Sequence, residues 1–271
     1  MLYHQVYMNN ESNEWLVLLH GLGGNSKIWY KQKRELTDKF NVIFVDLHGH
    51  GNSKWAISEF KNHTFKEIAN DVVKILDANG IDKAAFMGVS LGTAVARAIT
   101  LVAPERVHFL VLAGAIVKFN LRSSLLIHLG HALKGIMPYM NLYKLFAWIM
   151  MPKQNHKSSR LIFVREAAKL GQEEFLFWFG LSKQLGVLYS QLKLKNLSIP
   201  TKYIMGSEDH MFIEAARQEA SFCSKALITI IGKSGHLCNL EKAKEFNSVA
   251  VQYIETQFKT LRGEALSFSK E

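Results

Sequence analysis

Cysteine and proline are scarce in this chain, with two cysteines, Cys223 and Cys238, and four prolines in 271 residues. Two cysteines cannot build a disulfide framework, which excludes a small secreted scaffold. The 18 glycines follow no repeat, and 48% of residues are hydrophobic, so collagen-like, low-complexity and disordered classes are excluded as well. Long apolar runs are also missing. The most apolar stretch, Leu145 to Met151, falls far short of the roughly 18 to 20 residues of a membrane span, and Lys144 precedes it. Met1 to Asn13 holds no Lys or Arg, and the first apolar run, Trp15 to Leu19, is too short for the core of a signal peptide. The expectation is a cytoplasmic, globular chain long enough to bury a large core.

Charge of one sign is missing from part of the chain. The formal net charge is +10, yet residues 115–200 hold nine Lys and three Arg against three Glu and no Asp, a net of +9. A basic surface of this kind aids solubility, attracts anionic substrates or attracts an anionic membrane surface. Nucleic acid is not an expected partner, because no zinc-finger spacing, RNP-like motif or basic coiled-coil region occurs.

Short apolar runs bounded by turn residues recur as expected strands: Trp15 to Leu19, Val42 to Val45, Ala84 to Met87, Val107 to Leu112, Thr201 to Met205 and Leu227 to Ile231. Continuous apolar runs suit strands buried on both faces of a parallel sheet. Helical patterns alternate with them over Phe65 to Ala78, Leu91 to Val102 and Glu241 to Phe258. The fold class expected is α/β, a doubly wound, mostly parallel sheet. Residues 115–200 interrupt the alternation with helical periodicity throughout and hold 11 of the 30 aromatics, including Phe175, Phe177, Trp178 and Phe179. Ser158 or Ser159 is expected to cap a helix there, with Gly171 just past its last turn. Residues 1–114 and 201–271 are therefore expected to form the core, with 115–200 a helical lid inserted between two strands. The tail beyond Gln257 is expected to be exposed.

Three motifs carry chemistry. Gly88-Val89-Ser90-Leu91-Gly92 follows an expected strand and opens an expected helix. A sharp strand-to-helix turn strains its central residue, and flanking glycines leave room for it, so the serine Oγ projects above the sheet edge. His20-Gly21-Leu22-Gly23-Gly24 follows the first long strand. A glycine-rich loop there lets backbone N–H groups approach an oxyanion, with the Leu22 and Leu91 N–H groups as the natural pair. A serine needs a base, and the base needs an orienting carboxylate. Gly206-Ser207-Glu208-Asp209-His210 and Ser234-Gly235-His236 lie just beyond the last two expected strands, at the sheet edge where α/β folds build sites.

These motifs, with Asp46-Leu47-His48-Gly49-His50-Gly51-Asn52-Ser53, make the whole chain resemble the α/β-hydrolase superfamily. The resemblance implies Ser90 as nucleophile, His236 as general base and acid, Asp209 as its partner, and residues 115–200 as a cap over the pocket. It departs from many relatives at the N-terminus, where only one strand, Leu2 to Met8, fits before Trp15. Relatives that cleave haloalkanes or epoxides place aspartate at the elbow, so Ser90 favours acyl transfer onto water from an ester, thioester or lactone. Other relatives with the same triad cleave C–C bonds, as a menaquinone-pathway lyase does, and a non-catalytic ligand-binding scaffold is a third reading. The expected partner is a small acyl substrate, plausibly anionic, with no cofactor and no metal.

Other residues have plainer readings. Glu208 is a weaker candidate than Asp209 for the triad acid. Asp71 is expected on solvent or a helix neighbour, and Asp46 is expected to order the Gly49–Ser53 turn. His48 and His50 form an H-x-H pair that the turn explains better than zinc. His128 and His131 are assigned to the lid surface, and Cys238 to packing. The stretch Tyr139 to Met151 could lie on a membrane, though peripheral membrane contact through the basic lid is the disfavoured reading.

Overall fold

The computed structural model describes residues 1–54, 59–195 and 199–264. Seven strands form one sheet in the order β1-β3-β2-β4-β5-β6-β7. They are β1 (His4–Tyr7), β2 (Trp15–Leu19), β3 (Asn41–Val45), β4 (Ala84–Val89), β5 (Val107–Ala113), β6 (Thr201–Gly206) and β7 (Ala226–Ile231). All neighbours run parallel except β1, which pairs antiparallel with β3. A single N-terminal strand is thus present, as the space before Trp15 allows.

Alternate residues of each strand feed the two faces, as the two-residue strand period requires. Val17, Leu19, Ile43 and Val45 pack with α2 (Phe65–Ala78) and α3 (Leu91–Val102) in one core layer. Leu16, Leu18, Val42 and Phe44 pack in the other, with Leu36 of α1 (Lys33–Thr37) and the C-terminal helix. Each such fully buried side chain contributes about 1.5–3 kcal/mol, which is why unbroken apolar runs make stable central strands here. The α2 start is fixed by a capping box, in which Thr64 and Glu67 satisfy each other's backbone N–H groups.

Between β5 and β6 the chain runs through α4 (Leu121–Leu133), α5 (Tyr139–Met150), α6 (Lys157–Ala167), α7 (Gln172–Leu181) and α8 (Leu185–Lys195). The interval is helical, as its periodicity predicts, but its boundaries differ from expectation. His156, not Ser158 or Ser159, occupies the N-cap of α6. Ser159 instead turns its hydroxyl onto Glu241 and the His156 carbonyl. Gly171 is the N-cap of α7, not the stop of α6, because Glu174 folds back over its Cα and leaves no room for a side chain. Tyr139 to Met151 is not an exposed surface helix, since Leu142, Tyr143, Phe146 and Ala147 of α5 are buried. The last three residues of the expected insert that precede Ile199, 196–198, lie outside the described residues.

After α9 (Ile213–Phe222), the expected C-terminal helix is two helices, α10 (Cys238–Glu241) and α11 (Ala243–Leu261). Lys242 leaves the helical region with φ −131° and ψ 51°. That break lets α10 hold the Glu241 carboxylate against the Gly235 N–H and Ser159. In the tail beyond Gln257, residues 259–264 are exposed as expected, but Phe258 is buried against Phe40 and Phe109. Residues 265–271 of that expected tail lie outside the described residues. No helix among the described residues is long and apolar enough to cross a membrane.

Candidate active site

The loops after β2 and β4 meet because these strands are neighbours at the point where the strand order reverses. Ser90 sits between β4 and α3 with φ 53° and ψ −118°, a conformation rare for a residue with a side chain. The glycines on either side make this turn fit. A Cβ on Gly92 would overlap the Leu19 carbonyl oxygen, and one on Gly88 would lie 2.6 Å from the Gly92 backbone. On the other side, an added Cβ on Gly21 would approach Ser90 Cβ to 3.1 Å, so the loop after β2 lies directly against the serine.

His236 and Asp209 arrive from loops beyond β7 and β6. His236 Nε2 is 2.9 Å from Ser90 Oγ, and His236 Nδ1 is 2.8 Å from Asp209 Oδ2. All three residues are buried. A carboxylate only accepts, so the Nδ1–H donates to Asp209 and leaves the Nε2 lone pair facing the serine hydroxyl. That lone pair is placed to take the hydroxyl proton as the oxygen attacks. Neither the Leu22 nor the Leu91 N–H donates to another described residue, and Leu91 opens α3 at the positive end of its dipole.

Glu208 is placed elsewhere. It accepts hydrogen bonds from Lys153 and Asn155 and is 2.8 Å from His156, all in the insert. The Asn155 amide, with Lys153 and His156, holds its carboxyl down at about 2.

A sequence profile described as the α/β hydrolase fold matches residues 14–142. The pimeloyl-[acyl-carrier protein] methyl ester esterase of Salmonella heidelberg (strain SL476) is 39% identical over 112 residues, a match spanning 41% of each chain. The chain therefore aligns with about two fifths of the length of that curated relative. Among solved structures, an esterase from Thermogutta terrifontis superposes with a TM-score of 0.75 at 19% identity, covering 94% of this chain and 93% of the other. MenH from S. aureus superposes with a TM-score of 0.73 at 19% identity, covering 95% and 99%. This chain has the α/β-hydrolase fold.

Within this hydrolase fold, residues of the His20 and Asp46 motifs build the site's supports, together with Tyr143, which no motif contains. The His50 ring links its Nδ1–H to the His48 carbonyl and accepts the Gly23 N–H at Nε2, 2.9 Å away. His20 likewise accepts the Leu47 N–H at Nε2 and donates to the Gly21 carbonyl. Both rings are buried and therefore held below the ordinary histidine range, desolvation being the main cause. His48 pairs with Asp71 at 2.9 Å, so the H-x-H pair is split between two partners, with the His50 lone pair taken by backbone. Asp71, against the cost of burial, is held well below the usual carboxylate range by His48 and Lys74. Asp46 accepts the Ser26 and Asn52 N–H groups, ordering the turn as expected. From the insert, the Tyr143 hydroxyl donates to the Leu22 carbonyl at 2.7 Å. His131 is half-buried on Phe179, and Cys238 is fully buried, where desolvation pushes its thiol far up.

The cavity at Ser90 is small and apolar. It measures about 20 Å³ and is walled by Leu22, Val89, Ile162, Phe163 and Leu237, with Glu166 at its edge. A second cavity of about 190 Å³ shares Gly24 and Glu166 with it and carries Lys27, Lys54 and Lys169. The larger cavity is lined mainly by polar residues and holds none of Ser90, His236 and Asp209.

Proposed function

We propose that this protein is a serine hydrolase of carboxylic esters or related acyl compounds. Ser90 Oγ attacks the acyl carbon as His236 Nε2 takes its proton. The tetrahedral oxyanion forms against the Leu22 and Leu91 N–H groups. His236 returns the proton to the leaving alcohol, thiol or lactone oxygen, giving an acyl-enzyme on Ser90. Water then repeats the sequence in reverse, with His236 as base, and releases the acid. Asp209 holds the imidazole in the working tautomer and stabilises the imidazolium that forms twice. No step needs a metal or a cofactor. The observation that carries the reading is the hydrogen-bonded chain from Ser90 Oγ through His236 to Asp209, at 2.9 and 2.8 Å.

The substrate class follows from the two cavities. A site of about 20 Å³ holds little more than a water, far below the roughly 300 Å³ or more of ordinary ligand pockets. Substrate access therefore requires α6, which supplies Ile162 and Phe163, to move away from the core, and residues 115–200 act as a cap. The apolar wall suits an acyl chain or aromatic group. Lys27 and Lys54 suit an anionic group on the same molecule, whereas both carboxylates that line the larger cavity are already engaged, Asp46 by backbone N–H groups and Glu166 by Asn25, Arg165 and Lys169. The relative from Salmonella heidelberg, an ester hydrolase by its name, is consistent with this class.

Intact mass after exposure to a fluorophosphonate tests the proposal. The serine oxygen displaces fluoride from phosphorus, so one adduct is expected on the natural protein and none on Ser90→Ala. A well-folded natural protein that takes no adduct and turns over no short activated ester would refute a hydrolytic Ser90. An adduct without ester turnover would point to C–C bond cleavage instead.

A further inference from the structure

An apolar stripe lies uncovered on the outer face of α4. Leu121, Leu125 and Leu129 are 86%, 68% and 41% exposed, and Ile136, just past the helix, is 81% exposed. The four-residue spacing puts the three leucines on one face of the helix. The opposite face is apolar too: Leu126 is buried, and Gly130 fits closely against Phe146 and Phe179. A helix apolar on both faces is ordinarily covered on both. This one is also firmly seated. Asn120 caps its first turn by accepting the Ser123 N–H, and the Asn120 amide donates to the Met211 carbonyl in the core. The exposed leucines are therefore presented by an ordered surface.

The charge along the stretches that carry and adjoin the stripe has one sign. From Ala115 to Arg165 the sequence contains no Asp or Glu, and Lys118, Arg122 and Lys134 flank the leucines. The neighbouring stretch that begins at Ser182, which lies 3.4 Å from His131 at the end of α4, runs to Lys195 with no acid and adds Lys183. A second copy of the chain would bring the same basic insert face to face with itself, and like charges in contact oppose association. A convex row of leucines also offers no groove for a peptide.

We infer that the α4 face docks this protein on an anionic lipid bilayer. Leu121, Leu125, Leu129 and Ile136 enter the acyl boundary while Arg122, Lys134 and their neighbours remain at the acidic headgroups. The attachment is peripheral, and it is independent of the chemistry proposed at Ser90. Tyr139 to Met151 offers no such stripe, because Leu142, Tyr143, Phe146 and Ala147 of α5 are buried and Trp148 is its single large exposed apolar residue.

Co-sedimentation of the full chain with phosphatidylcholine vesicles, with and without phosphatidylserine, tests the inference. Binding is expected to vesicles that contain phosphatidylserine and to fall as salt is added. Leu125→Ser with Leu129→Ser is expected to lower the partition coefficient about tenfold or more, the effect of withholding two leucines from an apolar phase. Arg122→Glu with Lys134→Glu should weaken binding and flatten its salt dependence. Melting temperature and turnover of a soluble neutral ester verify that the variants remain folded.

Three results would overturn the inference. The first is a natural protein left in the supernatant with phosphatidylserine vesicles at low salt. The second is leucine variants that bind vesicles as the natural chain does. The third is a dimer in analytical ultracentrifugation that the leucine substitutions disperse, which would make a second copy the occupant.

Discussion

Asp209→Asn separates the two adjacent carboxylates. In the structure Asp209 is fully buried with Oδ2 2.8 Å from His236 Nδ1, whereas Glu208 is committed to Lys153, Asn155 and His156. Asparagine keeps the shape and removes the charge. When His236 takes the serine proton, the imidazolium loses a counter-charge at about 4 Å, worth about 4 kcal/mol at an effective dielectric of roughly 20. An asparagine amide can also present its N–H₂ to Nδ1, which would put the ring proton on Nε2 and remove the lone pair that faces Ser90. The two effects together predict a fall in kcat of about 10⁴-fold, or about 5.4 kcal/mol. Glu208→Gln should change kcat less than about tenfold, because its contacts are with the insert and not with the imidazole. The assay is kcat on a short activated ester, with circular dichroism to exclude unfolding. An Asp209→Asn enzyme within tenfold of the natural one, or a larger loss in Glu208→Gln, would refute the assignment.

Three further outcomes follow from the same geometry. If Lys27 and Lys54 receive an anionic group, kcat/KM for an anionic ester should fall with added salt while that for a neutral ester holds, and equal salt curves would refute this. Burial holds His20 and His50 below the histidine range, so unfolding lets them bind protons. Their contribution is therefore present above about pH 6.5 and lost as pH falls, at up to about 1.4 kcal/mol per pH unit for each ring. Calorimetry should show Tm dropping from pH 7 to pH 5, less steeply in His50→Gln; a slope unchanged in that variant would count against the account. Gly92→Ala drives a methyl group into the Leu19 carbonyl, and an overlap with fixed backbone should cost about 3 kcal/mol in a urea melt. An unaltered midpoint would mean that β2 can withdraw.

The division between local and distant information runs through particular residues. The apolar runs at Trp15, Asn41, Ala84, Val107 and Thr201 announce central strands because both faces are buried, so no alternation is needed to recognise them. Ser90, Asp209 and His236 were legible as candidates because each stands in a short motif at a strand end, and the parallel topology carries all such ends to one edge of the sheet. The insert was legible as helical but not in its boundaries. His156 caps α6 while Ser159 turns to the distant Glu241, and Gly171 opens α7 with Glu174 three residues on, a local contact that suits a helix start as well as a helix end.

The sequence by itself determined the strand run, the elbow at Ser90 and the candidate residues, because these depend on burial pattern and backbone sterics within a few positions. Only the tertiary structure decided that Asp209 and not Glu208 reaches His236, and that His50 and Tyr143 brace the loop beside Ser90. It also decided that Ile162 and Phe163 of α6 line the Ser90 cavity and that the leucines of α4 are left uncovered. Those outcomes depend on which groups from distant parts of the chain come within a few ångströms of one another, and hydrophobic periodicity alone does not encode such distances.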